Sequence, residues 1–175
     1  MNTLTKLAMG LMGHLAPRPL TGTPDRVVTL PTASIDGGMP LMQALAQRQS
    51  RRQFKPGRLE PQTLGDLLWA AAGINRSKLG GRTAPSAMNA QEIVLYAAMA
   101  EGLYRYEPGL HQLRLFAASD VRRVTGYQDF VDDADLDLIF VADHSRMSLV
   151  PAAQRVAYAN VAAGAMAQNV YLYCA

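Results

Sequence analysis

Three arginines and a serine crowd the stretch RQSRRQF at residues 48–54. On an extended chain, successive side chains point to opposite sides. Arg48, Ser50 and Arg52 would then face one way, and Arg51 and Gln53 the other. Two guanidiniums and a hydroxyl converging on one point suit a phosphate monoester, because each guanidinium can donate two charge-assisted hydrogen bonds. A second stretch, RTAPSAMNAQE at residues 82–92, is short, polar and turn-forming, with Pro85, Ser86 and Asn89. The Asn89 amide can donate and accept at once, which suits the imide edge of a heteroaromatic ring. Taken alone, each stretch equally fits an ordinary solvated turn. R-x-S-x-R recurs by chance, and Ser and Asn often bond their own backbone.

The other reactive residue types read as structural. Cys174 lies in an apolar, tyrosine-flanked helix end and is expected to pack there. His111 falls within a strand pattern and His144 just past one, with no carboxylate or cysteine at metal-ligand spacing. Asp132, Asp133, Asp135 and Asp137 read as a solvated turn and an alternating strand face. They lack the glycine and closing glutamate of a calcium loop. His14 is read as solvent-facing and Trp69 as core, and Tyr104 and Tyr106 share a sheet face.

The elements that must position the two stretches are legible in the hydrophobic periodicity. Pro40 can open a helix whose Leu41, Met42, Leu45 and Ala46 share one face, ending near Arg48. Pro56 blocks its continuation, which leaves the arginine stretch extended. LEPQTLGDLLWAAAG predicts a second helix from Pro61, with Leu64, Leu67, Leu68 and Ala71 at helical spacing and Gly73 as C-cap. Residues 92–116 read as antiparallel strands turning at EPG. Ser119 is expected to cap the segment SDVRRVTG, and LDLIFVAD reads as a buried strand. A long helix follows Pro151 over residues 151–174. It is dominated by small residues that permit close approach of a second helix.

A chain of 175 residues with 49% hydrophobic content can build one domain with a core, and 18% charged residues argues against disorder. A net charge of +3 accommodates an anionic ligand but is too weak to imply nucleic acid, and no aromatic platform accompanies the arginines. One cysteine excludes an internal disulfide framework. Residues 17–40 are rich in Pro, Thr and Gly, and 1–37 as a whole reads as an irregular, loosely packed N-terminal arm. No apolar run is long enough to span a bilayer. MNTLTKLAMGLMGHLA is broken by glycines and by His14, so a cytoplasmic location is expected, with export as the lesser reading.

In this order and spacing the segments resemble the nitroreductase family of FMN enzymes, from about residue 38 to the C-terminus. The series runs from R-x-S-x-R through LGDLLWAAAGINR, APSAMNAQE and TGYQDFVDDADLDLIFVAD to NVAAGAMAQNVYLYCA, with GLYRYEPGLHQL similar to the SagB-type branch. The resemblance implies an α+β fold, a central mixed or antiparallel sheet flanked by helices. It also implies that the long helix pairs with its mate in a homodimer and that FMN lies between the subunits. Arg48, Ser50 and Arg52 match the phosphate-binding motif, and Gln49 would offer a backbone contact to the ribityl chain. Pro85, Ser86 and Asn89 match the loop beside the isoalloxazine ring.

The implied activity is an FMN-dependent oxidoreductase that takes a hydride from NAD(P)H and reduces nitroaromatic or quinone-like acceptors. No catalytic acid or base is expected. Two alternatives stand beside it. One is a SagB-type azoline-oxidising dehydrogenase, and the other a non-catalytic flavin-binding or interaction module. Family members continue past the long helix, so the chain ending at Ala175 is expected to be a C-terminally shortened form of the fold, lacking a backbone donor to flavin N5.

Overall fold

The computed structural model describes residues 3–11, 18–19, 26–55 and 57–175. In chain order it has α1 (Thr3–Leu11), β1 (Arg18–Pro19), β2 (Val27–Thr29), α2 (Leu41–Gln47) and α3 (Pro61–Ala72). Next come β3 (Ile74–Arg76), β4 (Gly81–Arg82), β5 (Ile93–Met99), β6 (Gly102–Glu107), β7 (Gln112–Ala117) and β8 (Ser119–Asp120). The chain continues through α4 (Arg122–Thr125), β9 (Asp137–Ala142) and α5 (Ala152–Tyr173). The main sheet has five strands in the order β2-β7-β6-β5-β9, and every pairing in it is antiparallel. The fold is therefore α+β, with helices packed on the sheet.

Period-2 alternation puts Ile93, Leu95 and Ala97 of β5, Tyr104 and Tyr106 of β6, and Leu113 and Leu115 of β7 on one buried face. Leu64, Leu68, Ala71 and Ala72 of α3 close over that face, joined by Ala159, Ala162 and Met166 of α5. Leu68 is wholly buried, so full burial of its side chain stabilises by about 1.5–3 kcal/mol. Asn169 ties the two helices by donating to the Ala70 carbonyl at 3.0 Å.

Helix α3 starts and ends where the sequence predicts, but Gly73 has another cause. Its backbone is extended, not left-handed. A Cβ there would come within 2.3 Å of the Trp69 ring, so only glycine lets the half-buried Trp69 lie over the helix end.

Several expectations are corrected. The apolar face of α2 turns away from the chain's own core: Leu41, Met42, Leu45 and Ala46 are exposed, and only Ala44 is buried. Strand β9 is half-buried to exposed, because it is the sheet edge and pairs only with β5. Ser119 does not cap a helix. It pairs with Pro19, and Val121 takes the cap position of α4. His111 sits in the β6–β7 turn at φ 46°, with Nδ1 2.9 Å from the Tyr106 hydroxyl. Cys174 is exposed in the chain. His14 and Pro56 lie outside the described residues.

The segment expected to be an irregular arm carries both a helix and an edge strand. β2 pairs with β7, and α1 docks through Lys6, which is wholly buried. Lys6 donates to Asp132 at 2.6 Å and to the Gln128 carbonyl at 3.1 Å. A buried ammonium needs partners of this kind, because an unpaired one would neutralise or leave the interior. Nearby, Arg122 forks onto Asp120, with bonds of 2.9 and 2.8 Å, and donates to the Ala134 carbonyl at 2.7 Å. Asp137 accepts from the Thr125 hydroxyl at 2.6 Å.

Burial pushes the Asp137 carboxyl up to about 6, against the opposing pull of Thr125 and Arg122. An acid whose folded pKa is raised binds its proton more tightly when folded. Its contribution is therefore full below the ordinary carboxylate range and is lost as pH rises through about 6. Asp137→Asn keeps an acceptor for Thr125 and removes this loss. Thermal melts should show the variant gaining on the wild type above pH 6, with little difference near pH 4. A constant difference across that range would remove Asp137 as the source.

Candidate functional site

The arginine stretch begins where α2 stops. Arg48 is the C-cap, donating its backbone N–H to the Ala44 carbonyl at 2.9 Å, and its ψ of 120° sends the chain into extended backbone. Residues 48–52 are all exposed. Within the described residues, no hydrogen bond or ion pair engages the side chains of Arg48, Ser50, Arg51 or Arg52. Arg52 lines an open cleft of about 520 Å³ with Phe54, Lys55, Arg122, Asp132 and Asp133. Arg51 is not on this cleft, and neither are Arg48, Gln49 and Ser50. The aromatic wall of the cleft is a tilted Phe54–Phe130 pair with centroids 6.1 Å apart.

The second stretch is a strained loop. Met88, Asn89 and Gln91 all have positive φ, at 54°, 53° and 51°. Such backbone costs on the order of 1–2 kcal/mol per residue for L side chains and persists only where the surroundings over-determine it. Here Gln91 supplies the determination. Its N–H donates to Ser86 Oγ at 2.9 Å. Its side-chain amide donates to the Gly80 carbonyl at 2.7 Å and to Asn89 Oδ1 at 3.1 Å. Its own carbonyl accepts from Arg146 Nη1 at 3.2 Å. The bond from Gln91 engages Asn89 Oδ1 and orients the amide, leaving the NH₂ of this exposed residue without a partner among the described residues.

The structure thus gives the two predicted clusters different characters. Ser86 and Asn89 are joined through Gln91 in one knot, beside Pro85. Arg48, Gln49, Ser50 and Arg52 form an exposed run of donors with no side-chain partners among the described residues. The sequence reading did not single out Gln91, although it sits inside the quoted stretch. An amide two residues from an Asn is the available signal, but only the fold shows that Gly80 and Arg146 meet it.

Buried groups around the loop are also new. Glu92 is wholly buried, and neither carboxylate oxygen has a hydrogen-bond partner among the described residues. Its backbone carbonyl accepts from the Asp143 N–H at 2.8 Å.

A family model described as the Nitroreductase family matches residues 45–175. The chain belongs to the nitroreductase family. A crystal structure of a provisionally named nitroreductase from Ralstonia eutropha JMP134 is similar at 53% identity and a TM-score of 0.85. The match covers 91% of this chain and 76% of that one. A protein of Methanocaldococcus jannaschii, also provisionally named a nitroreductase, is 28% identical over 142 residues, which is 75% of this chain and 71% of that protein. The Escherichia coli microcin synthetase complex contains a chain with a TM-score of 0.59 at 16% identity, covering 98% of this chain and 77% of that one. This is a likeness of fold alone. Family membership makes the protein an oxidoreductase by descent.

Gln91 is the residue on which the loop's strain rests. Gln91→Ala removes two side-chain hydrogen bonds, each contributing about 0.5–1.5 kcal/mol. Urea unfolding should show a loss of about 1–3 kcal/mol. Chemical shifts should change at Met88 and Asn89 while those in β6 and β7 stay in place. Unchanged loop shifts would show that Gln91 does not hold the conformation.

Proposed function

We propose that the protein is an FMN-dependent NAD(P)H oxidoreductase of nitroreductase type, acting on nitroaromatic or quinone-like acceptors. The observation that carries this reading is the strained Ser86–Gln91 loop, which presents the Asn89 amide at fixed orientation, in a chain that also carries an exposed run of phosphate donors at residues 48–52. The donor types suit the group. Arg48, Ser50 and Arg52 offer hydroxyl and guanidinium donors to a phosphate, with Gln49 beside them for the ribityl chain. Pro85, Ser86 and Asn89 would flank the ring.

When bound, the flavin supplies hydride exchange between donor and acceptor, chemistry that side chains do not provide. The chain's own residues then bind and orient. Arg48 and Arg52 neutralise the phosphate, Asn89 meets one ring edge, and the Gln91 bonds keep that edge from drifting. Positioning matters here because misplaced reacting groups forfeit much of the rate. No acid or base of the chain is assigned a proton transfer. The azoline-oxidising alternative has only a shared fold in its support.

We further propose a homodimer formed on α5. Val156, Val161 and Tyr171 are exposed along its outer side, and the outward Leu41, Met42 and Leu45 of α2 add to the apolar surface. Helices α2 and α5 pack against each other, and exposed apolar residues gathered in one region mark an interaction face. Gly164 marks the opposing contact. It is exposed, and a Cβ there meets nothing within 4 Å of the single chain. Gly164→Leu should therefore leave the protomer folded, with a slightly better helix former in place, while overpacking the interface. Sedimentation is expected to shift to monomer with the melting temperature kept or raised. A variant that stays fully dimeric would place the interface elsewhere.

The cofactor assignment is tested by titrating flavin fluorescence with wild type and single variants. Arg48→Ala and Arg52→Ala should each weaken FMN by about 1.5–3 kcal/mol, the scale of a hydrogen bond to a charged group. Arg51→Ala should leave affinity near wild type. Equal losses for Arg51 and Arg52 would defeat the extended clamp. NAD(P)H oxidation with a nitroarene acceptor should fall in step with flavin occupancy.

A further inference from the structure

Away from the R-x-S-x-R stretch, three more arginines line a single cleft. Arg82, Arg105 and Arg146 line one cleft of about 210 Å³ beside the β6–β7 turn, floored in part by Ala72, Ile93 and Leu95. They come from three separate segments: Arg82 from β4, Arg105 from β6 and Arg146 from the turn after β9.

The acids nearby match this charge only in part: Arg146 is ion-paired to Asp143 at 3.2 Å, whereas no carboxylate bonds to Arg82 among the described residues. Glu107 lines the same cleft, but its oxygens accept from Gln112 at 2.6 Å and Arg114 at 3.0 Å. Asp143 takes bonds from Ser145 and from the Nε edge of Arg146. Glu92 lies within electrostatic reach of Arg82, yet its buried carboxylate bonds to no group among the described residues.

Arg82 itself is short of partners. Its Nε is buried with none, and Nη1 reaches only the Ile93 carbonyl, at a long 3.4 Å. Burial first, and then the positive charge of Arg146, pulls the Arg82 guanidinium below its ordinary value. A buried Nε without a partner, beside the like charge of Arg146, is costly unless an anion joins it.

We propose that the Arg82–Arg105–Arg146 cleft binds a phosphoryl group, separately from the clamp at Arg48 and Arg52. Donors supplied from three separate segments suit the peripheral oxygens of a phosphoryl group better than the two oxygens of a planar carboxylate. The site also adjoins the strained loop, because Arg146 donates to the Gln91 carbonyl. An anion drawing on Arg146 is therefore felt at Gln91 and through it at Asn89. The proposal stands whether or not the arginine stretch holds FMN. The phosphoryl group could be a free phosphate or part of the nicotinamide dinucleotide.

The test is calorimetric titration of the full chain with inorganic phosphate, in wild type and in Arg105→Gln, Arg146→Gln, Arg48→Ala and Arg52→Ala. Arg105 is exposed and bonds to nothing in the core, so Arg105→Gln is the variant that keeps the fold. A binding event weakened about tenfold or more by Arg105→Gln and Arg146→Gln, but kept in Arg48→Ala and Arg52→Ala, is expected. Phosphate binding that is unchanged in Arg105→Gln, or lost in full with Arg48→Ala, would overturn the proposal. Titration with NADH and NADPH then separates the sources. A matching loss for the dinucleotide in Arg105→Gln assigns the phosphoryl group to the electron donor. An unchanged dinucleotide affinity beside the lost phosphate event assigns it to a free phosphate.

Discussion

The bonds that Gln91 makes are the constraint on which the site depends. One residue joins the β3–β4 turn at Gly80, the loop at Ser86 and Asn89, and the segment after β9 at Arg146. The Arg146 segment is remote in sequence and meets the others because β5 and β9 pair, with Ile93 opposite Ala142. The sheet register thus sets where Arg146 stands, Arg146 helps set Gln91, and Gln91 sets the orientation of the Asn89 amide. Three residues at positive φ are the local cost of that arrangement. The packed layer of α3 and α5 over the sheet supplies the rigidity that sustains it.

The two halves of the proposed flavin site follow different physical logic. The ring-side loop is preorganised, since its side chains are already bonded to one another and to the scaffold. The phosphate-side arginines lie on extended, exposed backbone with no side-chain partners among the described residues. Preorganised donors lose little freedom on binding, whereas exposed arginines must be ordered by the ligand they hold. Charge would bring the phosphate in, and the loop would fix the ring.

Much of the scaffold could be read from local signals. Helix α3 was legible because Pro61, the leucine spacing and Gly73 all lie within one short segment. The β5–β6–β7 meander was legible because period-2 alternation and a turn are local too. What escaped depends on topology. LDLIFVAD looks like a central strand, yet strand order makes it an edge. The face of α2 looks like a core face, yet it turns outward. Lys6 sits in a glycine-broken segment, and nothing nearby predicts that Asp132 will bury it. Gly73 was placed correctly as a helix end, but the Trp69 ring that demands it is visible only in three dimensions. At the site, Ser86 and Asn89 were readable as types, while the Gln91 knot that organises them was not.

The central claim is that this chain is a flavoprotein whose redox chemistry belongs to a bound FMN. The most direct measurement is the visible absorption spectrum of the purified protein, after FMN addition and removal of free flavin, recorded before and after anaerobic NAD(P)H. The account predicts flavin bands that co-elute with the protein and bleach on addition of the donor. A protein that retains no flavin at saturating FMN, with its fold intact by circular dichroism, would contradict it.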